Sequence, residues 1–131
     1  MSAPFRLVYR SEPVSAPAQR DTTNEHVGVR DVIQAACEHF GVDRDVLISA
    51  SRRYPIVRAR QVAAAVARSS TSASLPQIGR VMQRDHTTIL HAVRSVRRKM
   101  ADVSVLADIA AVEAAARRLS AERMMRQGAG A

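Results

Sequence analysis

The sequence predicts an all-α fold of about six helices, and three observations carry that expectation. Aromatic residues are only 3% of the 131 and Trp is absent, so the core falls to Val, Ile, Leu, Ala and Met, with many alanines among them; alanine has the highest intrinsic helix propensity. Apolar residues recur at spacings of three and four rather than alternating. Residues suited to starting and stopping helices stand between these segments. At this length the chain accommodates one domain plus tails.

Residues 1 to 26, with Pro4, Pro13 and Pro17 among Ser, Ala, Thr and Gln, read as a flexible lead. A first helix is expected from Val29 to Phe40, because Val29, Val32, Ile33, Ala36, Cys37 and Phe40 share one face and Gly41 supplies a left-handed stop. Asp43 is a candidate cap for a short second helix through Ile48. The stretch from Ser49 to Pro55 lacks periodicity and reads as a basic loop. A third helix is then expected over about 57–68, with Val62, Ala63, Val66 and Ala67 inward.

Ser74 and Gln77 have the spacing of a capping box, which starts a fourth helix through Met82 and tolerates Pro76 in its first turn. The chain turns around Gln83 and Arg84. Asp85 then caps a fifth helix to about Met100, with Ile89, Val93, Val96 and Met100 as its buried seam. The last helix is expected over about 103–123, carrying Leu106, Ile109, Val112, Ala116 and Leu119 on one stripe. Residues 124–131, which include Gly128 and Gly130, read as a frayed tail.

The fourth and fifth helices have the proportions of a helix-turn-helix. In such a unit the first residues of the second helix face the major groove of DNA. Here these are Asp85, His86, Thr87 and Thr88. Charge points the same way. The formal charge is +8, and residues 44–99 hold twelve basic side chains against Asp45 and Asp85, a local balance of +10. A basic block between near-neutral flanks suits a polyanion, and no apolar run is long enough to span a bilayer, so nucleic acid is favoured over membrane. The single Cys37 excludes an internal disulfide and suits a reducing cytosol. With no secretory h-region at the N-terminus, a cytoplasmic, nucleoid-associated protein is expected.

The residues also resemble a family, the C-terminal DNA-binding domain of the bacterial DnaA replication initiators. The resemblance rests on Leu75-Pro76-Gln77-Ile78-Gly79 followed by Arg84-Asp85-His86-Thr87-Thr88-Ile89-Leu90-His91-Ala92, with Val57-Arg58-Ala59-Arg60-Gln61-Val62-Ala63 upstream, and covers about Val29 to Leu119. It implies a Trp-repressor-like domain over 27–123 that recognises a short asymmetric duplex site, the DnaA box. It further implies that Arg58 enters the minor groove, that Asp85, His86 and Thr87 read base edges, that Pro76 lies near a thymine methyl, and that Thr88 and Arg60 contact or position the backbone. Arg84 and Ser74 flank these positions, and the Arg52-Arg53 pair beside them is expected to meet phosphate. Residue chemistry agrees: Asp85 can accept from a cytosine amino group, Thr87 offers a hydroxyl and a methyl, and His86 donates or accepts by tautomer. Helix N-termini at Leu75 and His86 add amides suited to phosphate.

Two departures from the family bear on site preference. Gln83 stands where glycine is common, in a turn one residue shorter, and Ala59 replaces a common proline. The chain begins at its own Met1 and contains no G-x-x-x-x-G-K-[ST] loop. The expectation is therefore a stand-alone box-binding module that competes with or modulates the initiator, or else a transcriptional regulator with the same reader. No enzyme, cofactor or metal is expected: no nucleophile, base and oxyanion site converge, and His86 and His91, five residues apart, do not share a helix face. A protein-interaction adaptor working through the Ala-rich last helix is the third class, although Asp108, Glu113, Arg117 and Arg118 there read more simply as a solvated face.

Overall fold

A computed structural model describes residues 27–130, with side chains to Gln127, so the lead expected over 1–26 lies outside the described residues. Among the described residues six helices follow one another: α1 Val29–Phe40, α2 Arg44–Leu47, α3 Tyr54–Ser70, α4 Leu75–Met82, α5 His86–Arg98 and α6 Val103–Gly130. The all-α expectation holds.

The core forms around α3. Its Ala59, Val62, Ala63, Ala64, Val66 and Ala67 are all buried, and the small side chains let α1 and α5 approach its axis closely. Val32, Ile33, Ala36 and Cys37 fill the gap from α1, Leu47 from α2, Ile78 and Met82 from α4, and Ile89 and Val93 from α5. α6 packs mainly along α1 and completes the core with Val112 and Ala116. Ion pairs bind that seam at its edge, with Arg123 Nη2 2.7 Å from Asp31 and Arg118 Nη2 3.3 Å from Glu38. Cys37 is a core residue, and burial pushes its thiol pKa up.

Local rules account for most of the boundaries. Gly41 takes the left-handed conformation (φ 69°) and its N–H bonds Cys37 O, ending α1. Ser74 Oγ accepts from Gln77 N at 3.3 Å while Gln77 Oε1 accepts from Ser74 N at 2.7 Å, closing the capping box. Asp43 stands at the N-cap of α2, but its side chain makes no capping bond.

Four expectations are corrected. α3 begins at Tyr54 and runs to Ser70, earlier and later than expected, because Pro55 sits in the first turn, where its missing N–H breaks no helical bond. α5 ends at Arg98, leaving Met100 in the following turn and 42% exposed. On α6 the inward residue of the first turn is Val105 at 4% exposure, and Leu106, expected inside, is 41% exposed. The helix also continues beyond Arg123 to Gly130 through Met124, Met125, Arg126 and Gln127, most of them good helix formers.

The turn between α4 and α5 takes three residues, 83–85. Arg84 N donates to Gly79 O at 2.7 Å, and Gln83 adopts φ 58°, ψ 45°, the left-handed region. A Cβ on Gly79 would lie 2.3 Å from Arg84 O, so the crossing exists only because residue 79 has no side chain. Gly79→Ala is therefore expected to destabilise the fold by about 1–3 kcal/mol despite the better helix propensity of alanine. Gln83→Gly is expected to do the reverse, raising stability by about 0.5–1 kcal/mol by relieving a left-handed non-glycine residue. Denaturant midpoints of the two variants check both signs.

Candidate nucleic-acid interface

The turn delivers the start of α5 to the surface. Asp85 is its N-cap: one carboxylate oxygen, Oδ2, accepts from Thr87 N at 3.0 Å and also from the Thr87 hydroxyl. These bonds, the hydroxyl first and the amide second, hold the Asp85 carboxyl below its ordinary pKa. Two consequences bear on chemistry. Oδ1 of Asp85 takes no part in the cap and lies 3.8 Å from His86 Nδ1, and the Thr87 hydroxyl, having donated its proton to Oδ2, keeps its acceptor lone pairs. Asp85, His86, Thr87 and Thr88 are all exposed on one turn, while Ile89 beneath them is buried.

A second segment is fastened beside this turn by two arginines. Arg84 donates to Ile48 O (2.9 Å), Gln83 O (3.1 Å), Met82 O (3.4 Å) and Ser49 O. Arg60, from α3, donates to Leu47 O at 2.8 Å and Ser49 O at 2.9 Å. These are carbonyls at the C-terminal end of α2 and the loop after it, where the partial negative charge of a helix end favours cations. Burial, and then the nearby charge of Arg84, lower the pKa of Arg60. Among the described residues neither guanidinium meets a carboxylate, so their positive charge is not cancelled there. Arg52 and Arg53 lie three and four residues beyond Ser49, exposed, and neither guanidinium has a partner within the described chain.

Between α3 and α5 runs a cleft of about 360 Å³, lined by Arg60, Gln61, Arg84, Thr88, His91 and Arg98 among others. Ser74 and Pro76 stand exposed at the start of α4. Of the expected site residues, Arg60, Arg84 and Thr88 therefore line one cleft, although Arg60 and Arg84 spend their hydrogen bonds on holding the loop.

Arg58 is placed differently. Its Nε and Nη2 donate to Asp108 Oδ2 at 2.9 and 2.6 Å, and Nη2 also donates to Ser104 Oγ at 3.0 Å. Asp108 Oδ1 is 2.8 Å from His39 Nε2. Burial pushes the Asp108 carboxyl up, but the hydrogen bonds from His39 and Arg58 outweigh it and hold the group below its ordinary pKa. The bonds to Asp108, and then to Tyr54, raise the pKa of Arg58. Sequence reasoning missed Asp108, Ser104 and His39: Asp108 looked like part of a solvated face, and no periodicity links residues 50 apart.

The bacterial DnaA protein helix-turn-helix family matches residues 29–96. The chromosomal replication initiator protein DnaA of Xanthobacter autotrophicus is 42% identical over 78 residues, which are 59% of this chain and 15% of that protein. Its counterpart in Caulobacter sp. (strain K31) is 42% identical over 83 residues, 63% and 17% of the two chains. That of Gluconobacter oxydans is 34% identical over 117 residues, 79% and 24%. The chain thus spans less than a quarter of the length of these relatives. No helix among the described residues is long and apolar enough to cross a membrane.

The loop clamp and the cap each have a measurable consequence. Arg84→Ala is expected to cost about 2 kcal/mol and to speed amide exchange over 48–53, with Arg84→Lys recovering only part, since a lysine cannot bond several carbonyls at once. Asp85 has a depressed folded pKa, so its stabilising effect is present above the ordinary carboxylate value of about 4 and is lost as pH falls through the folded value. The stability advantage of the wild type over Asp85→Ala is expected to shrink below that pH in thermal melts.

Proposed function

The chain belongs to the family of bacterial DnaA helix-turn-helix domains, and from that premise we propose that it binds double-stranded DNA sequence-specifically at DnaA-box-like sites. It acts on replication initiation by occupying sites that full-length initiators read. The observation that carries this reading is the exposed first turn of α5, set in a surface of uncancelled arginines. An aspartate in such a surface opposes phosphate, so its place at the tip suits base reading: Asp85 Oδ1 accepts from a cytosine or adenine amino group. Thr87 adds an acceptor and a methyl, and His86 reaches the same edge. Phosphate contacts come from Arg52, Arg53, Ser74 and the amides at the starts of α4 and α5, with Thr88 and the Arg60–Arg84 pair supplying position and charge. Pro76 lies against a thymine methyl.

The relatives' printed role in chromosomal replication initiation favours the replication reading over a transcriptional one. Titration of a labelled box duplex against a scrambled duplex, at several salt concentrations, tests it. The box is expected to bind more tightly at every salt, with affinity for both falling steeply as salt rises. His86→Ala is expected to reduce discrimination by about 1–3 kcal/mol, whereas Arg52→Ala weakens both duplexes alike. Equal affinity for the two duplexes would sink specific recognition.

A further inference from the structure

We propose that the outer face of α6 is a self-association surface, on which a second copy of this chain lies antiparallel to form a two-fold dimer.

The argument begins with what α6 shows to solvent. At 3.6 residues per turn, Val103, Ala107, Ala110, Ala114, Ala121 and Met125 fall within about 40° of one line, opposite the buried Val105, Val112 and Ala116. All six are exposed, Val103 at 77% and Met125 at 72%, and Leu106 and Met124 stand exposed beside them. A helix that packs on a domain with one stripe ordinarily turns a polar face outward, and one that is apolar all round is covered on both sides. Here α1 and α3 cover one side only. The outer stripe follows a heptad spacing, as a helix–helix seam requires.

Charge selects the occupant. The stripe is interrupted by Arg117, and Glu113 stands one turn before it; neither has a partner among the described residues, whereas Arg118 is held by Glu38 and Glu122. A two-fold contact must be complementary to itself. In the antiparallel register that sets Ala114 against Arg117 of the second copy, Arg117 of each chain comes beside Glu113 of the other, and symmetry supplies that pair twice. The same register lays Ala110 on Ala121 and Ala107 under Met124 of the second copy, small side chains against small or large, so the helices can approach closely. The reading surface stays clear of this contact. Arg58 faces Asp108 and Ser104 of α6, whereas Arg60, two residues on and so about 200° round the axis of α3, lines the cleft with α5. The pairing is therefore independent of the DNA-binding reading and is tested without DNA.

Sedimentation equilibrium of the full chain in reducing buffer provides the test. The wild type is expected to pass from monomer to dimer as its concentration rises through about the micromolar range. A chain that stays monomeric there overturns the inference, and co-sedimentation with phosphatidylglycerol vesicles would then assign the same face to a bilayer surface. Ala110→Lys, at an exposed position and with a residue of good helix propensity, is expected to leave the circular dichroism spectrum unchanged and to weaken dimerisation about tenfold or more. Undiminished association of this variant overturns the inference, since it would run through another surface. Glu113→Arg and Arg117→Glu are each expected to weaken the dimer about tenfold, and the double exchange to restore it. A double variant no tighter than the singles contradicts the antiparallel pairing.

Discussion

The crossing of Gly79 beneath the carbonyl of Arg84 governs the rest of the reading surface. A side chain at 79 would stand 2.3 Å from that oxygen, so α4 and α5 meet at backbone distance. From this contact follow the left-handed Gln83, the hydrogen bond from Arg84 N to Gly79 O, and the placement of Asp85 as the N-cap of α5. The side chain of Arg84 leaves the same turn and reaches the carbonyls of Ile48 and Ser49. A single close approach thereby ties the start of α5 to a loop more than thirty residues upstream.

Charge is handled differently on the two faces of α3. Toward α5, Arg60 and Arg84 are satisfied by carbonyl oxygens, which meet their hydrogen-bonding needs without cancelling their charge. Toward α6, Arg58 meets a carboxylate and its charge is largely neutralised within the protein. Positive charge therefore stands beside the exposed turn of α5, where it suits steering toward a polyanion. Asp85 does not contradict this, because its carboxylate is committed on one side to the backbone and hydroxyl of Thr87.

Much of the fold was legible in the sequence because its helix ends are chemically marked. Gly41, the Ser74–Gln77 box and Asp85 each identify a boundary that the structure reproduces. Where the marks are ambiguous the reading slipped. Pro55 serves equally as a loop residue or a first-turn residue, and α3 starts at Tyr54. Along α6 the adjacent apolar pair Val105 and Leu106 leaves the register open by one residue, and packing selects Val105. The site divides in the same way. The exposed residues of α5 are contiguous and carry their own chemistry, whereas the roles of Arg60, Arg84 and Arg58 depend on carbonyls and a carboxylate brought from 11 to 50 positions away. Local sequence carries no trace of such partners.

The central claim is that the first turn of α5 reads base edges from within this basic surface. Backbone amide chemical-shift mapping tests it most directly, with the protein saturated by a box duplex and, in parallel, by a scrambled duplex of equal length. The account expects the amides of residues 84–89 to shift with the box duplex well beyond their shift with the scrambled one, while amides near Arg52 and Arg53 move similarly with both. Identical shifts over 84–89 for the two duplexes, or none, would contradict it.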